Sequence, residues 1–185
     1  MGHSENFATR FRSRLWPDVT LLAVTCLFLL AKAALAKGID IGESLKDTYM
    51  SGLNGDNRNL RSYFGQPLVI NVWASWCAPC RKEMQSLEAL ADQLKPSGTN
   101  VIGISTDDDA SAAKAFLKAT GGRIRHYRDQ DLILENMLGA DRIPLTLLID
   151  ARGKVLRKYY GEMDWANPTV ARSINRILRS SSDNY

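Results

Sequence analysis

Apolar positions along the chain alternate between two rhythms. Leu68 to Ala74 is nearly continuous, as a strand covered on both faces requires. Met84, Leu87, Leu90 and Leu94 then recur at three- and four-residue steps, predicting a helix from about Cys77 to Leu94 that stops at Pro96-Ser97-Gly98. Val101 to Ser105 reads as a second buried strand. Ala112, Ala113, Phe116, Leu117 and Thr120 form the next helix, ended by Gly121-Gly122. Asp107-Asp108-Asp109 between them reads as loop plus helix cap. Arg125 to Arg128 is a short strand, and Asp131 is expected to cap a short helix holding Leu132, Ile133, Met137 and Leu138, ended by Gly139. Leu145 to Ile149 and Val155 to Tyr160 make a hairpin about Asp150-Ala151-Arg152-Gly153. Asn167 as N-cap and Pro168 at the first position open the last helix, with Val170, Ile174, Ile177 and Leu178 as its buried face.

Upstream, Tyr49 to Leu53 predicts a strand with Asn54-Gly55-Asp56 as its hairpin turn. Leu60 and Phe64 lead into the turn Gly65-Gln66-Pro67. Residues 37–48 have no clear period and read as a linker, and 181–185 as a polar tail. The order is a strand, three strand–helix units, a hairpin and a closing helix. That is an α/β domain over 49–180, with a central mixed β-sheet flanked by helices on both faces.

The length of 185 residues allows one domain plus an appendage, and 45% hydrophobic with 24% charged residues is ordinary for a chain with a real core. Of the net charge of +4, Arg10, Arg12, Arg14 and Lys32 against Glu5 and Asp18 supply two. The rest is mixed in sign, with no basic run or basic-aromatic interleaving, which argues against a nucleic-acid partner. Residues 1–36 read as an export signal or an N-terminal membrane anchor. Three arginines precede an apolar run from Val19 to Ala31, and Ala34-Leu35-Ala36 offers a small-x-small cleavage site. The run is shorter than the roughly twenty residues of a membrane span, though snorkelling of Lys32 could stretch it to a short anchor. Cys26 within it reads as an incidental apolar residue.

The remaining cysteines carry the chemistry. Cys77 and Cys80 sit where the buried strand turns into a helix. Free N–H groups and the macrodipole at a helix N-terminus favour an anion, so Cys77 should be the more reactive thiolate. Cys80 is one turn on, within disulfide reach. So small a ring stabilises a fold little, and its bond is suited to being made and broken. A structural zinc site needs about four ligands, and neither His3 nor His126 is near the pair in sequence. Covalent haem attachment would need a histidine where Arg81 stands. A single peroxidatic cysteine would leave the second unexplained.

Val72-Trp73-Ala74-Ser75-Trp76-Cys77-Ala78-Pro79-Cys80-Arg81-Lys82-Glu83-Met84, Ile143-Pro144-Leu145 and Gly161-Glu162-Met163-Asp164-Trp165 resemble the TlpA/ResA/DsbE group of exported thiol–disulfide oxidoreductases. The resemblance spans about Tyr49 to Leu178. It implies a thioredoxin-like fold with an N-terminal hairpin, and a helical insertion at Asp107 to Gly139. It implies a catalytic, redox-active pair Cys77 and Cys80, no cofactor and no metal. Pro144 matches the group's cis-proline, where a bland reading is a strand-start proline; Ile143 and Pro144 would bind substrate. Glu83 matches a glutamate that tunes the dithiol, where the bland reading is a solvated first-turn acid. Trp76 is expected beside the disulfide, shaping the contact surface, with Pro79 in support. Trp73, Trp165, Tyr159, Tyr160 and His126 read as structural. Asn71 stands where cytoplasmic thioredoxins carry a buried aspartate, and Gln85 where they carry a helix-kinking proline. The implied partners are exported proteins with paired cysteines and a membrane thiol reductant of DsbD/CcdA type. A disulfide oxidase or isomerase, or a copper carrier, remain the alternatives.

Overall fold

The computed structural model describes residues 38–129 and 131–181. The expected export segment, and residues 182–185 of the expected tail, lie outside them. Seven strands form one mixed sheet: β1 (Tyr49–Gly52), β2 (Arg58–Asn59), β3 (Leu68–Trp73), β4 (Asn100–Ser105), β5 (Arg125–Arg128), β6 (Leu145–Ile149) and β7 (Val155–Tyr160). Their order is β2-β1-β5-β4-β3-β6-β7, with β3, β4 and β5 parallel and the other pairings antiparallel. Among the described residues there are four α-helices: α1 (Ala78–Leu94), α2 (Ala110–Thr120), α3 (Ile133–Leu138) and α4 (Pro168–Ser180).

β3 is central, hydrogen-bonded to β4 on one side and β6 on the other. Successive side chains of a strand point to opposite faces, so β3 feeds two cores. Val69 and Trp73 pack with Met84, Leu87, Leu90 and Leu94 of α1, Ala113 and Leu117 of α2, and Ile174 and Leu178 of α4. Leu68, Ile70 and Val72 face Leu134 and Leu138 of α3, together with Leu60 and Tyr63 of a short 3-10 turn. Each fully buried Leu contributes about 1.5–3 kcal/mol of transfer free energy. The polar member of β3, Asn71, falls on the α1 face and needs partners there.

Residues 38–48 form no regular element beyond one isolated bridge, Ser44 to Lys154. They are nevertheless tied to the body: Ile39 donates to the Met137 carbonyl, Gly42 to that of Val155 and Leu45 to that of Gly153. Their lack of period reflects irregular backbone satisfied by edge groups of other elements. The cap of α3 also differs from expectation. Asp131 does not hold it; the Asp129 carboxylate accepts from the Glu135 N–H at 2.6 Å, and Leu132 at the N-cap has φ 53°. The nearest acid in sequence lost to one brought in from the end of β5.

His126 on β5 is buried at the back of Trp73, with ring centroids 5.4 Å apart. Its neighbour on β4 is Gly103, where an added Cβ would lie 2.1 Å from His126 Nδ1, so only glycine fits. Neither ring nitrogen has a hydrogen-bond partner among the described residues. Burial pushes the imidazole down to about 4. Its contribution to stability is therefore full above the unfolded pKa of about 6.5 and is lost as pH falls toward about 4. His126→Leu should flatten the acid limb of a stability–pH curve between those values. An unchanged slope would place the acid sensitivity elsewhere.

Candidate active site

The dithiol sits at the C-terminal edge of β3, where the chain enters α1. Cys77 is the N-cap of α1, with Pro79 in its first turn. The Cys80 N–H donates to Cys77 Sγ at 3.2 Å, so the sulfur serves as the capping acceptor. Cys77 and Cys80 are joined in a disulfide with Cα atoms 5.3 Å apart. Cys77 keeps 6% exposure and Cys80 none. Trp76, the residue before Cys77, is 70% exposed.

The loop before β6 forms the opposite wall. The Ile143–Pro144 peptide is cis, and the Ile143 carbonyl oxygen lies 3.8 Å from Cys77 Sγ. Pro144 directs its own carbonyl away, to the Gly161 N–H beyond the end of β7.

Beneath the sulfurs lies a buried polar network. Glu83 is one turn after Cys80 on the same face of α1, and only 2% exposed. It is neither solvated nor in the first turn, contrary to the bland expectation. Its Oε1 accepts from Asn71 Nδ2 at 2.8 Å; Oε2 accepts from the Met163 N–H at 3.1 Å and Trp165 Nε1 at 3.0 Å. Asn71 Nδ2 also donates to Thr146 Oγ1 on β6. Burial pushes the Glu83 carboxyl above the usual carboxylate range; the three donors oppose this only in part, and the Glu162 charge adds to it. Tyr159 covers Trp165 edge-on, with ring centroids 5.9 Å apart. Exposed Lys82 pairs with Glu162 at 3.7 Å, a contact of little energetic weight.

The roles of three residues were missed in sequence. Trp165 and Met163 hold Glu83 from about eighty residues away, and the Gly161–Trp165 stretch carried no periodic signal of that role. Asp107, read as loop, is 3% exposed and bonded to Ser75 next to Trp76. Among the described residues, no three His, Cys, Asp or Glu side chains are grouped to hold a metal ion.

A mixed sheet of this order, with a helix-capping disulfide facing a cis-proline, defines a thioredoxin-like thiol–disulfide oxidoreductase. The family model described as Redoxin matches residues 40–174, and the chain belongs to that family. It is 31% identical over 172 residues to the thiol:disulfide interchange protein DsbE of Pseudomonas fluorescens biotype C, covering 85% of this chain and 93% of that one. It is 26% identical over 160 residues to the thiol-disulfide oxidoreductase ResA of Halalkalibacterium halodurans, covering 82% and 89%. Among solved structures, a DsbE-type thiol:disulfide interchange protein from Chlorobium tepidum matches with a TM-score of 0.68 and 23% identity, over 78% of this chain and 99% of that one. The chain is thus a protein-disulfide oxidoreductase of the ResA/DsbE type, acting on cysteine-containing proteins.

Proposed function

We propose that this protein works outside the cytoplasm as a reductase of paired cysteines in exported proteins, held at or released from the membrane by residues 19–36. The observation that carries the direction is the dithiol's setting. Ala78-Pro79 places no charged or histidine donor between the sulfurs, and a buried carboxylate lies one turn beneath Cys80. Neither feature stabilises the reduced thiolate in the way a strong oxidant requires.

In the forward reaction Cys77 thiolate attacks one sulfur of a substrate disulfide. That bond breaks: one substrate sulfur is displaced as a thiolate, and the other is held to Cys77 in a mixed disulfide. Cys80 loses its proton and attacks Cys77 Sγ, releasing the second substrate thiol and regenerating the Cys77–Cys80 bond. Glu83, with its raised pKa, is the acceptor within the helix for the Cys80 proton, in the place where Asn71 replaces an aspartate. Ile143 and Pro144 offer an edge for an extended substrate segment, and Trp76 an apolar contact beside it. The substrates are apocytochromes c awaiting haem or copper-site proteins of respiratory oxidases, whose thiols must be reduced before ligation. A membrane thiol reductant of DsbD/CcdA type restores the dithiol.

Two assays test this. A reporter enzyme active only after export, fused at Ser180, should be active; signal confined to the cytoplasm would overturn the location. Reduced protein mixed with an oxidised peptide carrying a Cys-x-x-Cys-His pair should pass its electrons to the peptide. Failure to reduce that peptide, with ready oxidation of a reduced one, would favour the oxidase reading.

A further inference from the structure

Asp107 stands just past the end of β4 and is 3% exposed, yet takes no part in the exchange described above. Its carboxylate reaches across to the chain that enters the active site. Oδ2 accepts from the Ser75 N–H at 2.9 Å, and Oδ1 accepts from the Ser75 hydroxyl at 2.6 Å. Oδ2 also accepts from the Ser105 hydroxyl at 2.7 Å, and Ser105 Oγ accepts in turn from the Asp107 N–H at 3.1 Å. The Asp107 carbonyl accepts from Arg128 Nε at 3.2 Å, and that of Asp108 from a second nitrogen of the same guanidinium. The Thr106 N–H donates to the Trp73 carbonyl at 2.9 Å, pinning the same loop to the last residue of β3.

We propose that Asp107 is a positioning residue of the dithiol site, clamping Ser75 so that Trp76 and Cys77 are presented at the start of α1. The inference rests on Cys77 being the attacking thiol. Ser75 is the last residue before exposed Trp76, and Cys77 closes the turn by donating its N–H to the Ala74 carbonyl at 3.1 Å. Among the described residues, the hydrogen bonds that the Ser75 N–H and hydroxyl donate across to the neighbouring loop all end on Asp107. A clamp on one backbone N–H and one hydroxyl fixes where the N-cap sulfur sits relative to the first free N–H groups of the helix. That distance decides how well the dipole favours the thiolate. Asp109, two residues on, does the ordinary work of a loop aspartate by capping α2 through the Ser111 N–H at 2.8 Å.

The thiol titration of the reduced protein separates positioning from charge. The charged side chains on adjoining stretches are Arg81, Lys82 and Glu83 on α1, Asp107, Asp108 and Asp109 on the β4–α2 loop, Arg128 on β5, Asp141 and Arg142 before Pro144, and Glu162 after β7. Removing the negative charge of Asp107 by field alone would lower the midpoint of Cys77. Losing the clamp would raise it. Asp107→Asn keeps an acceptor for Ser75 without the charge; Asp107→Ala keeps neither. The expected midpoint of the alkylation rate against pH is higher in Asp107→Ala than in wild type by about half a unit, with Asp107→Asn below Asp107→Ala. Asp109→Ala, which loosens α2 only, should leave the midpoint unmoved. An Asp107→Ala midpoint at or below wild type would overturn the proposal. If Asp107→Ala does not fold, Ser75→Ala, which deletes one hydroxyl, should raise the midpoint, and no rise would overturn it. Peptide mapping of the alkylated wild type reports separately whether Cys77 is the attacking thiol.

Discussion

Cys80→Ser, reduced and mixed with a disulfide substrate, should accumulate as a covalent complex through Cys77, and Cys77→Ser should form none. Turnover should fall by roughly a hundredfold or more in both. The asymmetry follows from burial and capping. Cys77 holds the N-cap position and retains a sliver of exposure, whereas Cys80 lies wholly inside the first turn. In Cys80→Ser the mixed disulfide still forms, but no second sulfur is in place to resolve it. Non-reducing electrophoresis with reducing controls checks this. Equal trapping by the two variants would reverse or abolish the assignment of attacking and resolving thiols.

Glu83→Ala should cost on the order of 3 kcal/mol of stability, because it leaves the donors of Asn71, Met163 and Trp165 without their buried acceptor. Glu83→Gln should cost much less. Its carbonyl oxygen can still accept from Trp165, and its amide can face Asn71, whose Oδ1 is buried with no partner among the described residues. The two variants also separate structure from electrostatics. The folded pKa of Glu83 lies above its ordinary value of 4.5, so its contribution is fully present below about 4.5 and is lost as pH rises through the folded value. Glu83→Gln should remove that slope from urea midpoints measured across the window. It should also lower the midpoint of the thiol titration, since an ionised carboxylate near Cys80 opposes a second negative charge. An unchanged thiol titration with a changed stability slope would make Glu83 a structural acid alone.

Much of the fold was legible because its signals are local. β3 is a run of apolar residues, α1 repeats at helical steps, Asn167-Pro168 marks the start of α4, and Arg125 to Arg128 matched β5 at both ends. The dithiol and its wall were legible as short motifs. What escaped depends on which distant backbone arrives. Asp129 took the cap that Asp131 was expected to supply, because the turn after β5 swings it under Glu135. Asp107 and Asp109 look alike in a run of three acids, yet one is buried against Ser75 and the other caps α2. Glu83 left two readings open, a dithiol-tuning acid and a solvated first-turn acid, because its burial depends on Trp165, which donates to it from beyond β7. Residues 38–48 carry no period, and their docking depends on edge groups of β7 and on the carbonyl of Met137.

The reduction potential of the Cys77–Cys80 pair tests the central claim most directly. It is read by equilibrating the purified domain with a glutathione or dithiothreitol couple and quantifying free thiols. A reductase of exported cysteine pairs should lie near or below about −220 mV, toward the thioredoxin value of about −270 mV. A value near the −120 mV or so of a strong periplasmic oxidant would contradict it.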